Sequence, residues 1–177
     1  GRSRPPHLRP WRDGWRHLRF LLLLSPKWLF KIPGIFLLLA FLGLYAALLL
    51  GPLNIGSVTL DMRTLWLAQS GALLGYMMLL MGGVAQAIGV REGYFIPRKN
   101  HQGSRIYSPE IGIVSSITAG VGGLLLAFYA VTIWGNEGFG PLYDGGSLRV
   151  VSLATLLILA SGITFIFSLI YGFLLLP

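Results

Sequence analysis

Four long stretches of this chain contain no charged residue between their ends, and this feature constrains the fold more than any other. A helix needs about 20 apolar residues to cross the roughly 30 Å hydrocarbon core of a bilayer, where every backbone polar group must be hydrogen-bonded within the protein. The stretches therefore predict an all-α integral membrane protein with four transmembrane helices. They run roughly from Ile32 to Leu50, Leu65 to Val90, Ile111 to Trp134 and Val150 to Leu176.

Composition and charge limit the kinds of molecule that this chain is expected to bind. Of the 177 residues, 54% are hydrophobic and only 11% are charged, whereas a soluble domain carries about 25% charged residues. The net charge is +8, and in so apolar a chain a basic surface usually meets anionic lipid headgroups or a phosphorylated ligand. We therefore expect membrane lipids as partners and no nucleic acid. Cysteine is absent, which excludes disulfides and thiolate metal sites.

The positions of the basic residues predict the orientation of the helices. Twelve of the fourteen lie before the first span or between the second and third: Arg2, Arg4, Arg9, Arg12, Arg16, Arg19, Lys27, Lys31, Arg91, Arg98, Lys99 and Arg105. Cytoplasmic loops of membrane proteins carry an excess of lysine and arginine. The sequence thus predicts a multi-pass protein of the cell membrane, with both termini in the cytoplasm and the helices paired as two antiparallel hairpins.

The segment before the first span has the pattern of an amphipathic helix that lies in the membrane interface. One helical face collects four apolar side chains, those of Trp11, Trp15, Leu18 and Leu22. A second stripe collects three arginines, Arg12, Arg16 and Arg19. Tryptophan rings favour the depth of the headgroups and guanidinium groups favour their phosphates.

Prolines are expected to divide this basic segment from the spans. Ser25-Pro26 and Ile32-Pro33-Gly34 should each interrupt the apolar run, so that LLLLSPKWLFK (residues 21–31) is too short to span and forms a second interfacial piece. The predicted interfacial anchors of the whole segment are Trp11, Trp15, Lys27, Trp28 and Lys31. Residues 1–31 are accordingly predicted to form a basic juxtamembrane segment, and residues 32–177 a four-helix transmembrane domain.

The arginines of the juxtamembrane segment have two interpretations. A guanidinium is a planar fork that matches phosphate oxygens, so these side chains would bind a phosphate group of a substrate. Juxtamembrane arginines also commonly hold lipid headgroups and fix topology. Both interpretations give the same candidate residues for phosphate or headgroup binding: Arg2, Arg4, Arg12, Arg16 and Arg19.

The spans themselves offer little chemistry. They contain no carboxylate and no histidine that could relay a proton, which disfavours a proton-coupled transporter. The histidines outside them, at 7, 17 and 101, are scattered, and no acidic pair, phosphate loop or nucleophile elbow occurs. We predict no catalytic residue and no metal ligand in this chain. The serines, threonines and glutamines of the spans should bond a neighbouring helix or their own backbone, and the glycines should allow close helix approach.

Several segments, taken in order, carry a family resemblance. They are GRSRPPHLRPWRDGWRHLRFLLLLSPKWLF followed by IPG, then GPLNIGSVTLDMRTL, IGVREGYFIP and GFGPLYDGGSLRVV. The chain resembles the C-terminal membrane domain of family 2 glycosyltransferases of the polyprenyl-phosphate (dolichol-phosphate) sugar synthase type. The resemblance implies an enzyme that transfers a sugar from a nucleotide donor to a membrane polyprenyl phosphate on the cytoplasmic side.

The resemblance also implies what should lie outside this sequence. In such enzymes a soluble nucleotide-sugar domain with a metal-binding Asp-x-Asp, expected to hold Mg or Mn, precedes the membrane part. The chain opens with Gly1 and has its first methionine at Met62, so we expect a fragment that is inactive alone. Arg2 and Ser3 would then end the catalytic domain's last loop, with Arg4 next to them, and Arg12, Arg16 and Arg19 would belong to the helix that seats that domain on the membrane.

Two other functions stay open from the sequence. The first is a small four-helix transporter or flippase for lipid-linked sugars, which should line a path with polar residues. The second is a structural membrane subunit that recruits a partner. An assembly of identical chains is compatible with each function.

Overall fold

The computed structural model describes residues 11–15, 17, 25–95, 108–136, 138–140 and 145–175. A π-helical turn (Lys27–Lys31) leads directly into helix α1 (Ile32–Leu50), and three longer helices follow: α2 (Met62–Arg91), α3 (Pro109–Asn136) and α4 (Gly145–Leu175). Two short strands, β1 (Leu53–Ile55) and β2 (Val58–Leu60), lie between α1 and α2. Within the residues described, four helices are long and apolar enough to cross a membrane, which confirms the predicted fold class.

The first span begins earlier than predicted. Its helix runs over Lys27–Leu50, so the expected break at Ile32-Pro33-Gly34 is wrong, and residues 27–31 of the predicted interfacial piece belong to the span. Residues 21–24 of that piece lie outside the described residues. A proline ring usually clashes with the carbonyl four residues earlier. Here the turn before it is π-helical, with the Ile32 N–H donating to the carbonyl of Lys27, and this wider turn changes that spacing. Pro33 therefore occupies the first turn of α1 without ending the helix.

The other helix boundaries follow from local capping chemistry. The hydroxyl of Ser108 accepts a hydrogen bond from the Ile111 N–H at 3.3 Å, and Pro109 takes the first helical position of α3. This is an N-cap followed by a residue whose missing N–H would have had no partner. At the far end of α2, Gly93 has a φ of +75° and the N–H of Tyr94 bonds the carbonyl of Gly89 at 2.9 Å. That pattern is a Schellman motif, which explains why α2 stops there.

Glycines bring α1 and α2 into close contact. A methyl group placed on Gly75 would lie 2.4 Å from the backbone nitrogen of Leu38 and 2.9 Å from the carbonyl oxygen of Gly34. One turn earlier on α2, Gly71 lies under the ring of Phe41. Without a water-driven hydrophobic force between helices in lipid, such backbone proximity supplies the van der Waals contact that holds a pair together.

Helices α3 and α4 pack through a similar seam. Gly123 lies against Ile158 and the carbonyl of Ala154, and Gly120 lies against the hydroxyl of Ser161. Helix α2 then contacts α4, so the order of packing is α1, α2, α4, α3. This arrangement is consistent with two antiparallel hairpins that pack side by side.

The two strands form a hairpin beyond the end of α1. Leu53 pairs with Leu60 and Ile55 with Val58, around a two-residue turn in which Gly56 has a φ of +62°. Only glycine adopts that conformation without steric cost, and a two-residue turn with glycine first is a standard hairpin connection. The hairpin returns the chain directly to Asp61 and the start of α2.

The outer surface of the bundle is apolar. Large side chains such as Phe36, Phe128 and Phe173 are each about 70% exposed. A contiguous apolar surface of this kind is costly in water and favourable in hydrocarbon. The bundle therefore presents to its surroundings the surface of a lipid-embedded protein.

Candidate functional site

The structure describes six of the residues predicted to bind phosphate or anchor the chain. Trp11, Arg12 and Trp15 are exposed within helical residues 11–15, where Trp11 is 87% accessible. Lys27 and Trp28 are exposed on the π-helical turn, and Lys31 is half-buried. Four further candidates lie outside the described residues: Arg2, Arg4, Arg16 and Arg19. The predicted roles of all these side chains stay predictions.

Lys31 differs from the other predicted anchors because it makes an interhelical bond. Its ammonium group donates a short hydrogen bond to the side-chain oxygen of Gln86 on α2. Its methylene chain lies against Gly82, where an added methyl group would come within 2.8 Å of the lysine Cγ. The lysine thus packs between α1 and α2 at one end of the bundle, named here the Lys27 end.

A fully buried polar group joins three helices. The Ser152 hydroxyl of α4 donates to the side-chain oxygen of Gln69 on α2 at 2.6 Å, and it lies 3.2 Å from the Tyr45 hydroxyl of α1. Since a serine hydroxyl has one proton, the Tyr45 hydroxyl must donate to it. Tyr45, Gln69 and Ser152 are at most 3% exposed, so the members of this triad bond one another away from solvent.

A second pair joins α2 and α4 farther along. The hydroxyls of Tyr76 and Thr164 lie 2.7 Å apart, and the Thr164 hydroxyl donates to the carbonyl of Ala160 at 2.7 Å. The Tyr76 proton therefore points to the threonine oxygen. Sequence analysis assigned no hydrogen bond to Tyr76 or Tyr45. A tyrosine within an apolar run cannot be distinguished, from sequence alone, from an aromatic side chain that only packs.

Arg149 ties together the opposite end of the bundle, named here the Arg149 end. Its Nη2 donates to the Asp61 carboxylate at 3.1 Å and its Nε donates to the carbonyl of Leu48 at 3.2 Å. That carbonyl is among the last four of α1, which have no partner within the helix. A cation at a helix C-terminus also complements the helix dipole. One arginine therefore links α1, the start of α2 and α4.

The polar residues of the spans behave as predicted. Most hydroxyls donate to a carbonyl three or four residues earlier in their own helix, as Ser70, Ser115, Ser116, Thr118, Thr155, Ser161, Thr164 and Ser168 do. Gln69 and Gln86 bond neighbouring helices. In the part of the chain that the structure describes, no buried side-chain polar atom lacks a partner.

Acidic and histidine side chains do not gather into a site in the described ranges. Among those residues no group of three or more His, Asp or Glu side chains could hold a metal ion. The polar side chains of the described spans instead bond a neighbouring helix or the backbone of their own helix. The fold and the polar contacts together define a multi-pass membrane domain. Its buried polar side chains, in the described residues, are hydrogen-bonded within the protein.

The comparison with protein families identifies the family of this membrane domain. Residues 83–175 match the glycosyltransferase family 2 C-terminal transmembrane region. This stretch covers more than half of the chain, from the second half of α2 to the end of α4. The chain belongs to that family. No curated protein and no solved structure matches this chain.

Proposed function

We propose that this chain is the membrane domain of a glycosyltransferase that transfers a sugar from a nucleotide donor to polyprenyl (dolichyl) phosphate at the cytoplasmic face of the cell membrane. The observation that carries the proposal is the family match over residues 83–175. The ordered likeness of residues 1–34, 51–65, 88–97 and 138–151 to the polyprenyl-phosphate type supports the choice of acceptor.

The chemistry of the chain supports an anchoring role. Its six carboxylates are dispersed along the sequence, at Asp13, Asp61, Glu92, Glu110, Glu137 and Asp144. A Mg or Mn ion that serves a nucleotide-sugar is held by closely spaced carboxylates, and the described residues do not fit such a site. We propose that the metal and the nucleotide-sugar bind a catalytic domain outside these 177 residues.

The packing favours an anchor over a transporter. A transporter lines a path with polar groups that are free to meet a substrate. In the described part of the bundle the buried polar side chains are bonded to each other or to backbone, as Tyr45, Gln69 and Ser152 are. Because these polar groups already bond one another, they are not available to a passing substrate. This arrangement supports a domain that anchors the protein in the membrane.

The enzymatic test uses the product of the complete gene. Membranes that contain it are incubated with radiolabelled nucleotide-sugars and polyprenyl phosphate, and the labelled lipid is extracted into organic solvent. We expect labelled lipid with polyprenyl phosphate and none with the unphosphorylated polyprenol, and we expect this chain expressed alone to form none. Absence of labelled lipid with every common nucleotide-sugar would contradict the proposed acceptor.

A second test addresses orientation. Because the chain has no cysteine, single cysteines can be introduced at two exposed positions on either side of α2, as Ser57→Cys in the hairpin turn before it and Glu92→Cys directly after it. With sealed cells, a membrane-impermeant maleimide should label the first variant only. Labelling of the second variant from outside would reverse the proposed topology.

A further inference from the structure

The bond between Lys31 and Gln86 leaves a positive charge at the contact of α1 and α2. An ammonium group has three N–H donors, and a glutamine oxygen accepts from one of them without neutralising the charge. Among the described residues no carboxylate pairs with Lys31 or with Lys27, one turn before it. The ion pair found in those residues, Arg149 with Asp61, lies at the opposite end of the bundle.

The depth of Lys31 in the bilayer follows from the length of its helix. The span Lys27–Leu50 has 24 residues, which at about 1.5 Å per residue extends about 36 Å, or about 6 Å more than the hydrocarbon core. The excess falls at the Lys27 end, because Leu50 at the other end is apolar and 92% exposed. Lys27 then lies among the headgroups, and Lys31 lies one helical turn deeper, at the boundary of the hydrocarbon and within reach of the lipid phosphates above it.

The surroundings hold the Lys31 side chain in one place. Gly82 receives its methylene chain, and the Gln86 oxygen fixes the ammonium group. A lysine that only anchors a helix extends freely toward the headgroups, whereas this one is turned across to the neighbouring helix. Gln86 accepts from one of its three N–H donors, and the Lys31 side chain is only half-buried between α1 and α2.

We propose that Lys31, positioned by Gln86, binds the terminal phosphate monoester of a membrane lipid, with Lys27 adding a second positive charge from the headgroup level. A phosphate monoester carries about −1.5 to −2 charges and three strong acceptor oxygens, which matches two ammonium groups without a carboxylate. This inference rests on the proposed function, in which the lipid is polyprenyl phosphate, and it assigns the acceptor a site within the transmembrane domain.

One substitution separates this proposal from a purely structural role. Gln86→Glu would place a carboxylate beside the Lys31 ammonium group, so the bond between α1 and α2 would be kept and strengthened. The charge available to a phosphate would be neutralised, and the added carboxylate would repel the anion. A structural hydrogen bond tolerates this change, but an anion site does not.

The experiment measures lipid retention by native mass spectrometry of the purified full chain. Equal amounts of polyprenyl phosphate, polyprenol, phosphatidic acid and phosphatidylglycerol are offered. We expect the wild type to retain the two phosphate monoesters over the other two lipids. Lys31→Met and Gln86→Glu should each lower retention of both monoesters about tenfold, the effect of losing a charge-assisted hydrogen bond. Lys27→Met should lower it by about twofold.

A matched control removes the same charge elsewhere. Arg63→Met acts on an exposed cation at the Arg149 end and should leave retention unchanged, while circular dichroism and thermal unfolding verify that each variant is folded. Retention that is unaffected by Gln86→Glu in a folded variant would overturn the site. Equal, Lys31-dependent retention of phosphatidylglycerol would overturn the choice of a monoester.

Failure of this inference and failure of the proposed function give different results. If the complete enzyme makes the labelled lipid but retention ignores Lys31, the acceptor binds elsewhere and the site is wrong. If phosphatidic acid is retained through Lys31 and polyprenyl phosphate is not, the phosphate site stands and the assigned acceptor is wrong.

Discussion

A single added methyl group at Gly75 should measurably loosen the contact between α1 and α2. In Gly75→Ala the new carbon would lie 2.4 Å from the Leu38 backbone nitrogen and 2.9 Å from the Gly34 carbonyl oxygen. Non-bonded carbon contacts are most favourable at about 3.5 to 4.0 Å. Both close atoms belong to backbone, so no side-chain rotation relieves the overlap, and the helices must separate by about 1 Å.

The cost follows from that displacement. A radial gap of about 0.5 to 1 Å forfeits a quarter to a half of the dispersion energy of each contact it opens, and overpacking a dense interior costs about 1 to 3 kcal/mol. The displaced contacts extend along the seam to Gly71 under Phe41. We therefore expect Gly75→Ala to lower the free energy of unfolding by about 2 to 3 kcal/mol.

The matched control is Gly83→Ala on the same helix. At Gly83 an added methyl group would meet no atom within 4 Å, so this variant has the same gain in helix propensity and apolar area without the overlap. Both proteins are unfolded by titration with sodium dodecyl sulfate in mixed micelles, with ellipticity as the readout. Equal stability of the two variants would refute the argument that backbone contact at Gly75 holds the pair together.

Substitutions at three further positions test the polar contacts by the same unfolding titration. Ser152→Ala strands the buried oxygen of Gln69 and the hydroxyl of Tyr45, and should cost about 1 to 2 kcal/mol; an unchanged free energy of unfolding would contradict the role of the triad. Ser108→Ala removes the cap of α3 and should cost about 1 kcal/mol, whereas Ser108→Asp should restore most of it. Arg149→Met breaks the ion pair and the carbonyl bond and should cost about 1 kcal/mol, because the side chain is only 20% exposed. The stability of the wild type should depend on salt concentration more than that of the Arg149 variant. An equal salt dependence in both proteins would argue against the ion pair with Asp61.

Sequence alone predicts the four spans because the membrane imposes a simple rule. Hydrocarbon accepts neither charges nor unpaired backbone groups, so length and absence of charge define each helix. Boundaries depend instead on capping and on local geometry. Pro33 was predicted to end a helix, and it does not, because a π-helical turn precedes it. The turn Gly56-Ser57 between apolar residues did carry a hairpin signal that the prediction omitted.

The partners of polar side chains could not be predicted for a different reason. Ser152 bonds Gln69, which lies 83 residues earlier in the chain, and Lys31 bonds Gln86, which lies 55 residues later. Single polar residues within apolar runs have no periodicity of their own. Which of them meet is decided by the rotation of each helix, and that rotation is set by glycine contacts such as Gly34 with Gly75.

The distribution of these contacts gives the bundle two unlike ends. In the described residues the polar contacts that tie α1 to α4, at Tyr45 and through Arg149, lie toward the Arg149 end. Toward the Lys27 end, α1 is bonded to α2 through Lys31 and Gln86. Glycine contacts hold α1 against α2 along this half of the pair, and the Tyr76–Thr164 bond ties α2 to α4 near the middle of α2. The proposed phosphate site therefore depends on the contact of α1 with α2 alone, whereas a site shared between the two hairpins would depend on the contact of α2 with α4 as well.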